Sequence, residues 1–424
     1  MALPLLAERA PDACPAPAAV DGAPHHTPAF DDVAKGEPLT VERKRILLAV
    51  HSAKAGGAER MALLEAEHLE DDFELLISVP EGPLRARFGA HGELVDPAAT
   101  LPLWGASAGR WLRSAARTAI DAVRMAVLIR RRGVELVLTN SSVCLAPVLA
   151  ARLARVPVVV HARDVPKSRL APLVFALHGA LADTVVVIAS GLAPYFTRGR
   201  RARITRIADG IVAPQSPPSA TPRSLHAPVA LCLVGGLDPR KGQDVAVAAL
   251  AQLRDSGVEA TLELVGREVD REFAAAVRDA VQRLDLTERV VFVGEVPDAG
   301  PHLERADIAI APSRGEWTPL VLMEALARGL PVIAARVGGV QEIVSDRESG
   351  LLIPPGDPAA LAGAVRELLG DPRAALDMAR RGREHVDANF KVERTLERLQ
   401  AELGLLLADG SPPTRERGPT PAVL

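Results

Sequence analysis

Short, almost unbroken runs of Val, Ile, Leu and Ala alternate along this chain with longer segments of helical periodicity. A continuous apolar run bounded by turn residues marks a strand buried on both faces, and its alternation with helices marks a parallel sheet wound on both sides. In the first half, strands are predicted over 46–50, 73–79, 134–139, 158–161, 184–188 and 204–207, with helices between them that include 58–69 and 111–132. Prolines at 214, 217, 218, 222 and 228 then forbid regular structure. Beyond them the alternation restarts, with strands over 229–234, 261–265, 290–293, 308–311, 331–334 and 351–353. Helices over 244–255, 272–284, 321–328, 359–369 and 373–388 separate these strands, and an amphipathic segment, 392–407, comes last.

The fold class this pattern predicts is α/β, with two doubly wound, Rossmann-like domains facing each other across a cleft. The expected organisation is a disordered arm at 1–42, an N-terminal domain at 43–212, a Pro-rich linker at 213–228 and a C-terminal domain at 229–388. A C-terminal helix at 389–410 is expected to pack back towards the first domain, followed by a disordered tail at 411–424. A ligand belongs in the cleft, where the strand C-termini of the two sheets face each other.

Length and composition narrow the function. A chain of 424 residues with 48% hydrophobic residues supplies two buried cores. Aromatics make up only 3%, which argues against a surface built to stack bases, and the formal net charge of −3 argues against bulk nucleic-acid binding. Cys14, Cys144 and Cys232 lie far apart and form neither a metal-ligand spacing nor a disulfide framework, so a reducing compartment is expected. The first ten residues lack a basic n-region, and 170–189, the most apolar stretch, is broken by His178, Gly179 and Asp183. That stretch reads as a core helix and a buried strand, and the expected location is cytoplasmic.

The stretch Glu316-Trp317-Thr318-Pro319-Leu320-Val321-Leu322-Met323-Glu324 follows a predicted strand and opens a helix. The helix start near Thr318, Pro319, Leu320 and Val321 offers backbone N–H groups and a positive dipole end, which suit a phosphate. A carboxylate on either side can accept hydrogen bonds from hydroxyls, Glu324 from a ribose and Glu316 from a sugar. Taken alone, the two glutamates read more simply as a helix-start acid and a solvated helix residue. The context that follows is Arg328-Gly329-Leu330-Pro331-Val332, then Val337-Gly338-Gly339-Val340-Gln341-Glu342, then Gly350-Leu351-Leu352-Ile353-Pro354-Pro355-Gly356-Asp357. This run resembles the signature of family-four retaining glycosyltransferases, glycosyl transferases group 1, which have the GT-B fold.

That resemblance implies further roles. Val234-Gly235-Gly236-Leu237-Asp238-Pro239-Arg240-Lys241-Gly242 is similar to the family's loop whose Arg and Lys clamp the donor diphosphate. Lys241 is kept, Gly236 stands where the family has its Arg, and Arg240 is a candidate substitute. The loop running from His51 through Gly56 and Gly57 to Arg60 is implied to cover the donor phosphates. His161-Ala162-Arg163-Asp164 ends a predicted strand, with His161 implied to touch the donor sugar and Arg163 or Asp164 the acceptor. Asp209-Gly210-Ile211 resembles the family's Asn-Gly-Val element and is read as a hinge turn.

No Asp-x-Asp triplet is present, so no metal or other cofactor is expected, and the nucleotide-sugar donor is a substrate. Retention is pictured in the family as front-face attack, in which the leaving phosphate takes the acceptor's proton. The acceptor is an unnamed hydroxyl. A phosphorylase, a transferase-like coupling of non-sugar units and a nucleotide-sugar-binding protein without turnover stay open as alternatives, while the Glu-x7-Glu run disfavours an epimerase. Arg110, Arg113, Arg117, Arg124 and Arg131 fall on one helix face near Trp111, and Arg198, Arg200, Arg201, Arg203 and Arg206 form a second cluster. Both read either as solvated basic faces or as a peripheral contact with an anionic membrane surface.

Overall fold

A run such as Ile46-Leu47-Leu48 is apolar at every position because both sides of its strand are covered. The computed structural model describes residues 43–409 apart from 55, 99, 102–107, 164–170, 198–200, 215–224 and 226–227. The arm, the tail, Asp164, Arg198, Arg200 and most of the predicted linker therefore lie outside the described residues. The first sheet contains β1 (Arg45–Ala49), β2 (Glu74–Ser78), β3 (Glu93–Val95), β4 (Leu136–Thr139), β5 (Val158–Ala162), β6 (Thr184–Val187) and β7 (Arg203–Arg206). Its order is β3-β2-β1-β4-β5-β6-β7, and the recorded pairings are parallel. The order reverses beside β1, so the loop leaving β1 opens at a switch point.

Helices α1 (Gly57–Leu69), α2 (Arg85–Phe88), α3 (Ala108–Arg132), α4 (Leu145–Ala154), α5 (Ala171–Leu181) and α6 (Ala193–Phe196) belong to this domain. The period of two along β1 divides its side chains between two cores. Leu47 packs with Met125, Ile129 and Val148 of α3 and α4. Ile46 and Leu48 face Ala62, Leu63 and Ala66 of α1.

The second sheet has β8 (Val229–Val234), β9 (Ala260–Val265), β10 (Val290–Gly294), β11 (Ile308–Ala311), β12 (Val332–Ala335) and β13 (Leu351–Ile353), in the order β10-β9-β8-β11-β12-β13. It is surrounded by α7 (Gln243–Asp255), α8 (Arg271–Arg283), α9 (Gly300–Arg305), α10 (Leu320–Ala327), α11 (Val340–Ile343), α12 (Pro358–Gly370) and α13 (Pro372–Asn389). The last helix, α14 (Val392–Asp409), buries Leu399, Leu403 and Leu406 in the core that holds Ile46 and Leu48. The C-terminal helix is thus part of the first domain's packing. β3 and several short helices have no counterpart in the predicted elements, because they span too few residues to set up a period.

The chain crosses between the domains twice, and the crossings lie side by side. Ile211 N–H donates to the Phe390 carbonyl at 2.8 Å, and Val392 N–H donates to the Ile211 carbonyl at 3.0 Å. A Cβ on Gly210 would sit 2.6 Å from the Lys391 carbonyl carbon, so glycine is what lets the two crossings touch.

Candidate active site

The loop between β11 and α10 is shaped by backbone contacts as much as by side chains. Gly338, at φ +48°, and Gly339 lie against it. A Cβ on Gly338 would fall 1.8 Å from the Glu316 carbonyl oxygen, and one on Gly339 2.1 Å from that of Trp317. The Gly-Gly pair therefore seats the chain segment that carries Glu316. The Glu316 carboxylate is ion-paired with Lys241 Nζ, and Ser313 Oγ donates to it at 3.4 Å. Lys241 is aimed by Gly242, whose φ of +75° starts α7 and whose absent Cβ would meet the Pro312 carbonyl oxygen at 2.2 Å. β8 and β11, the neighbouring strands from which these loops leave, place the cation and the carboxylate together.

Of the four residues expected at the phosphate-binding helix start, Pro319 caps α10 but has no N–H. Thr318 Oγ1 lies 3.5 Å from the Ile188 carbonyl of the first domain. The amide donors available at the helix start are those of Leu320 and Val321. Opposite them stands the start of α1, with Gly56 as its N-cap. A Cβ on Gly57 would lie 3.4 Å from Leu320 Cδ1, so the two helix N-termini confront each other across the cleft. Glu59 folds back over Gly56, where a Cβ would come within 2.3 Å of Oε2. The same carboxylate is 3.4 Å from His51 Nε2, and Asn140 Oδ1 is 3.3 Å from both the backbone N and Nδ1 of His51.

Glu324 sits one turn into α10, half-buried. Burial pushes its carboxyl above the usual range, while Arg328 and Arg60 partly oppose the rise. Arg60 belongs to α1 and reaches the second domain, where Nη2 donates to the Pro297 carbonyl at 3.1 Å. In the sequence Arg60 stands only as the end of the glycine loop. Its place in the cleft depends on how the two domains face each other, and no local pattern records that.

Three expectations change. His161 and Arg163 do not open onto the cleft in this conformation, since their side chains are almost wholly buried. His161 Nδ1 lies 3.0 Å from Glu65 Oε1, and the Arg163 guanidinium is shared between Glu65 and Asp209, with Nε 3.1 Å from Asp209 Oδ1. Arg163 is therefore a structural cation rather than an exposed acceptor contact. Asp209 is more than a turn, because it ties the hinge to the end of β5. Burial alone would raise the Glu65 carboxyl, but Arg163 and then His161 outweigh it and hold it at about 2. Glu65 lies on α1, far in sequence from the residues it organises.

The third change concerns Arg240. Its guanidinium is 58% exposed and pairs with Asp238 at 3.0 Å, so it is tied beside the loop rather than joined to Lys241. At Gly236 a Cβ would come within 2.6 Å of Val269 Cγ2, and Gln243 Nε2 donates to the Gly236 carbonyl at 3.0 Å. An arginine could enter there only if Val269 moved. Among the described residues no group of three or more His, Cys, Asp and Glu side chains is placed to hold a metal ion.

Residues 228–371, which carry the Lys241–Glu316 pair and α10, match the family model described as glycosyl transferases group 1. The second domain belongs to that family. The chain is 35% identical over 191 residues to the glycogen synthase of Mycobacterium tuberculosis, a match covering 45% of each chain. It is 32% identical over 177 residues to the lipopolysaccharide core biosynthesis mannosyltransferase LpcC of Rhizobium leguminosarum, covering 41% of this chain and 50% of that one. The chain thus spans about half the length of the curated relatives it matches. In three dimensions the match is broader. Anabaena Alr3699/HepE, solved in complex with UDP, superposes over 85% of this chain and 100% of its own, with TM-score 0.71 and 22% identity. The group 1 domain and its N-terminal partner together have the GT-B fold.

Proposed function

We propose that this protein is a metal-independent, retaining glycosyltransferase that moves a hexose-type sugar from a nucleotide diphosphate sugar to a hydroxyl acceptor. The observation that carries this reading is the Lys241–Glu316 ion pair set beside two opposed helix N-termini. A diphosphate entering there meets the amides of Leu320 and Val321 and the Lys241 ammonium, which separates from Glu316 to reach it. Negative charge grows on the leaving phosphate as the glycosidic bond breaks, and donors already fixed in place stabilise that charge without reorganising. Glu316, released from Lys241, is free to accept a hydroxyl of the transferred sugar, and Glu324 a ribose hydroxyl. The acceptor oxygen attacks from the side the phosphate leaves, and that phosphate removes its proton. The solved complex of Alr3699/HepE with UDP and glucose supports a nucleotide-sugar donor.

Gly236 favours a second reading, a nucleotide-sugar-binding protein of the same fold that lacks turnover. A thermal-shift screen against UDP, GDP, ADP and dTDP, with and without EDTA, followed by incubation with the matching labelled sugar donor, tests both. A selective rise unaffected by EDTA, followed by sugar transfer, supports the transferase. A rise without transfer to any acceptor supports the binding protein. No rise with any diphosphate removes both.

The reading places the protein in the cytoplasm with a peripheral contact to an anionic membrane surface. Among the described residues no helix is long and apolar enough to cross a membrane. Helix α3 leaves Leu112, Ile120, Val123 and Val127 exposed by 41% to 74%. At helical spacing these four share one stripe, and Arg113, Arg117, Arg124 and Arg131 fall in the row beside it. Trp111, expected near the arginines, instead packs inward with Leu101 and Val143. An exposed apolar stripe edged by arginines suits the boundary between headgroups and acyl chains of an anionic bilayer.

A further inference from the structure

A cavity of about 510 Å³ lies at the double crossing between the domains, away from the cleft that holds Lys241. Its chemistry comes from Arg206 at the end of β7, Glu342 of α11, His385 and Asn389 of α13, and Arg394 and Arg398 of α14. Three guanidinium groups therefore share this space with one carboxylate, and that carboxylate is already occupied. Glu342 Oε2 accepts from Arg206 Nε at 2.7 Å, and Oε1 accepts from the Ser190 N–H at 2.8 Å. Both bonds join the second domain to the first.

Arg394 and Arg398 each spend a donor on a backbone carbonyl. Arg394 bonds to that of Ala388, and Arg398 Nη2 bonds to that of Arg206 at 2.8 Å. Neither is ion-paired with a carboxylate among the described residues, and their remaining N–H groups stay available to the cavity. Thr395 Oγ1 donates to the Ala208 carbonyl at 2.8 Å and holds the first turn of α14 against the hinge. Like charges gathered in a pocket repel one another, and an oxyanion that accepts several charge-assisted bonds relieves that repulsion.

We propose that this cavity is a binding site for a small phosphate-bearing anion, held by Arg394 and Arg398 and completed by Arg206. An anion that engages Arg206 competes with Glu342 for the same guanidinium. Occupancy therefore loosens one of the bonds that set the relative position of the two domains. The site lies where their relative motion would be controlled, and its function requires no sugar transfer.

Isothermal titration of the full chain tests this, with inorganic pyrophosphate in one arm and a hexose phosphate in the other. The tighter arm tells whether a free polyphosphate or an esterified phosphate fits better. Arg394 and Arg398 are exposed, so the double variant R394A/R398A keeps the buried packing of α14. The expected result is a loss of affinity of about tenfold or more in R394A/R398A, the scale for losing two charged donors. Lys241→Ala, in the separate cleft, is expected to leave at least one binding event in place. Glu342→Gln is expected to tighten binding, because it removes the competing charge while leaving the arginines intact. The opposite signs of these effects separate anion recognition from general damage to the fold. Binding that survives R394A/R398A unchanged, or that vanishes with Lys241→Ala, overturns the proposal. So does the absence of any binding heat at about 1 mM ligand.

Discussion

Gly57, at the start of α1, and Leu320, at the start of α10, meet across the cleft, with 3.4 Å between the missing Cβ of one and Cδ1 of the other. The positive ends of two helices from different domains thereby converge on one small volume. Two macrodipoles set positive end to positive end repel and are stabilised by an anion between them. A Gly57→Leu substitution is expected to push the two helix ends apart and weaken nucleoside diphosphate binding at least about tenfold, the scale of overpacking a closed contact. Titration calorimetry with the diphosphate selected by the thermal-shift screen measures the loss.

Lys241→Ala removes the cation that faces Glu316 and leaves that carboxylate without its partner. Loss of one preorganised donor to a leaving group is expected to lower kcat about ten- to a thousandfold. Steady-state kinetics with the cognate donor checks this, and an unchanged kcat would remove Lys241 from the proposed chemistry.

Glu65 is fully buried and anchors His161 and Arg163, so breaking the cluster strands a buried guanidinium. Glu65→Ala is expected to cost about 3–5 kcal/mol of folding stability, measured by urea denaturation. The pH dependence follows from the depressed carboxyl. Its folded value of about 2 lies below the ordinary 4.5, so its contribution is complete above 4.5 and is lost as pH falls towards 2. Thermal melts of the wild type should fall through that window more steeply than those of Glu65→Gln.

Glu324 shifts the other way, because burial raises its carboxyl in the ligand-free fold. The ionised carboxylate is the stronger acceptor for the proposed ribose hydroxyl, so donor binding is expected to weaken as pH falls through the raised value. Glu324→Gln should bind less tightly at neutral pH and show a flatter profile over the same range. Affinity measured across mildly acidic to neutral pH distinguishes the two curves.

The exposed stripe of α3 makes a membrane prediction. The double variant I120E/V123E places two carboxylates where the wild type has exposed aliphatic groups. Wild-type protein is expected to float with anionic liposomes at low salt, and the variant to stay behind. If both float equally, α3 is not the docking face.

Much of the architecture was legible because strand and helix periods are local properties. The strands at β8, β11 and β13 follow directly from apolar runs, and the loops carrying Lys241 and Glu316 follow from their glycines and helix starts. The Gly338-Gly339 pair was visible as a motif, but its reason was not. That reason is the approach of the Glu316 and Trp317 backbone, which only the packed structure brings within reach. Likewise His161-Ala162-Arg163 is readable as a strand end, yet burial by Glu65 turns two of its side chains inward.

By itself, then, the sequence determined two parallel-sheet domains, the family of the second and the loops from which a donor site is built. Hydrophobic period, proline density and glycine spacing act over a few residues and need no folded partner. The tertiary structure alone decided that Arg60 enters the cleft and that Arg163 and Asp209 form a buried pair. It also decided that α14 closes the first domain's core and frames the basic cavity at the hinge. Each of these depends on groups distant in sequence meeting across a domain boundary or a core. Burial and Coulomb attraction then act between residues that no local pattern associates.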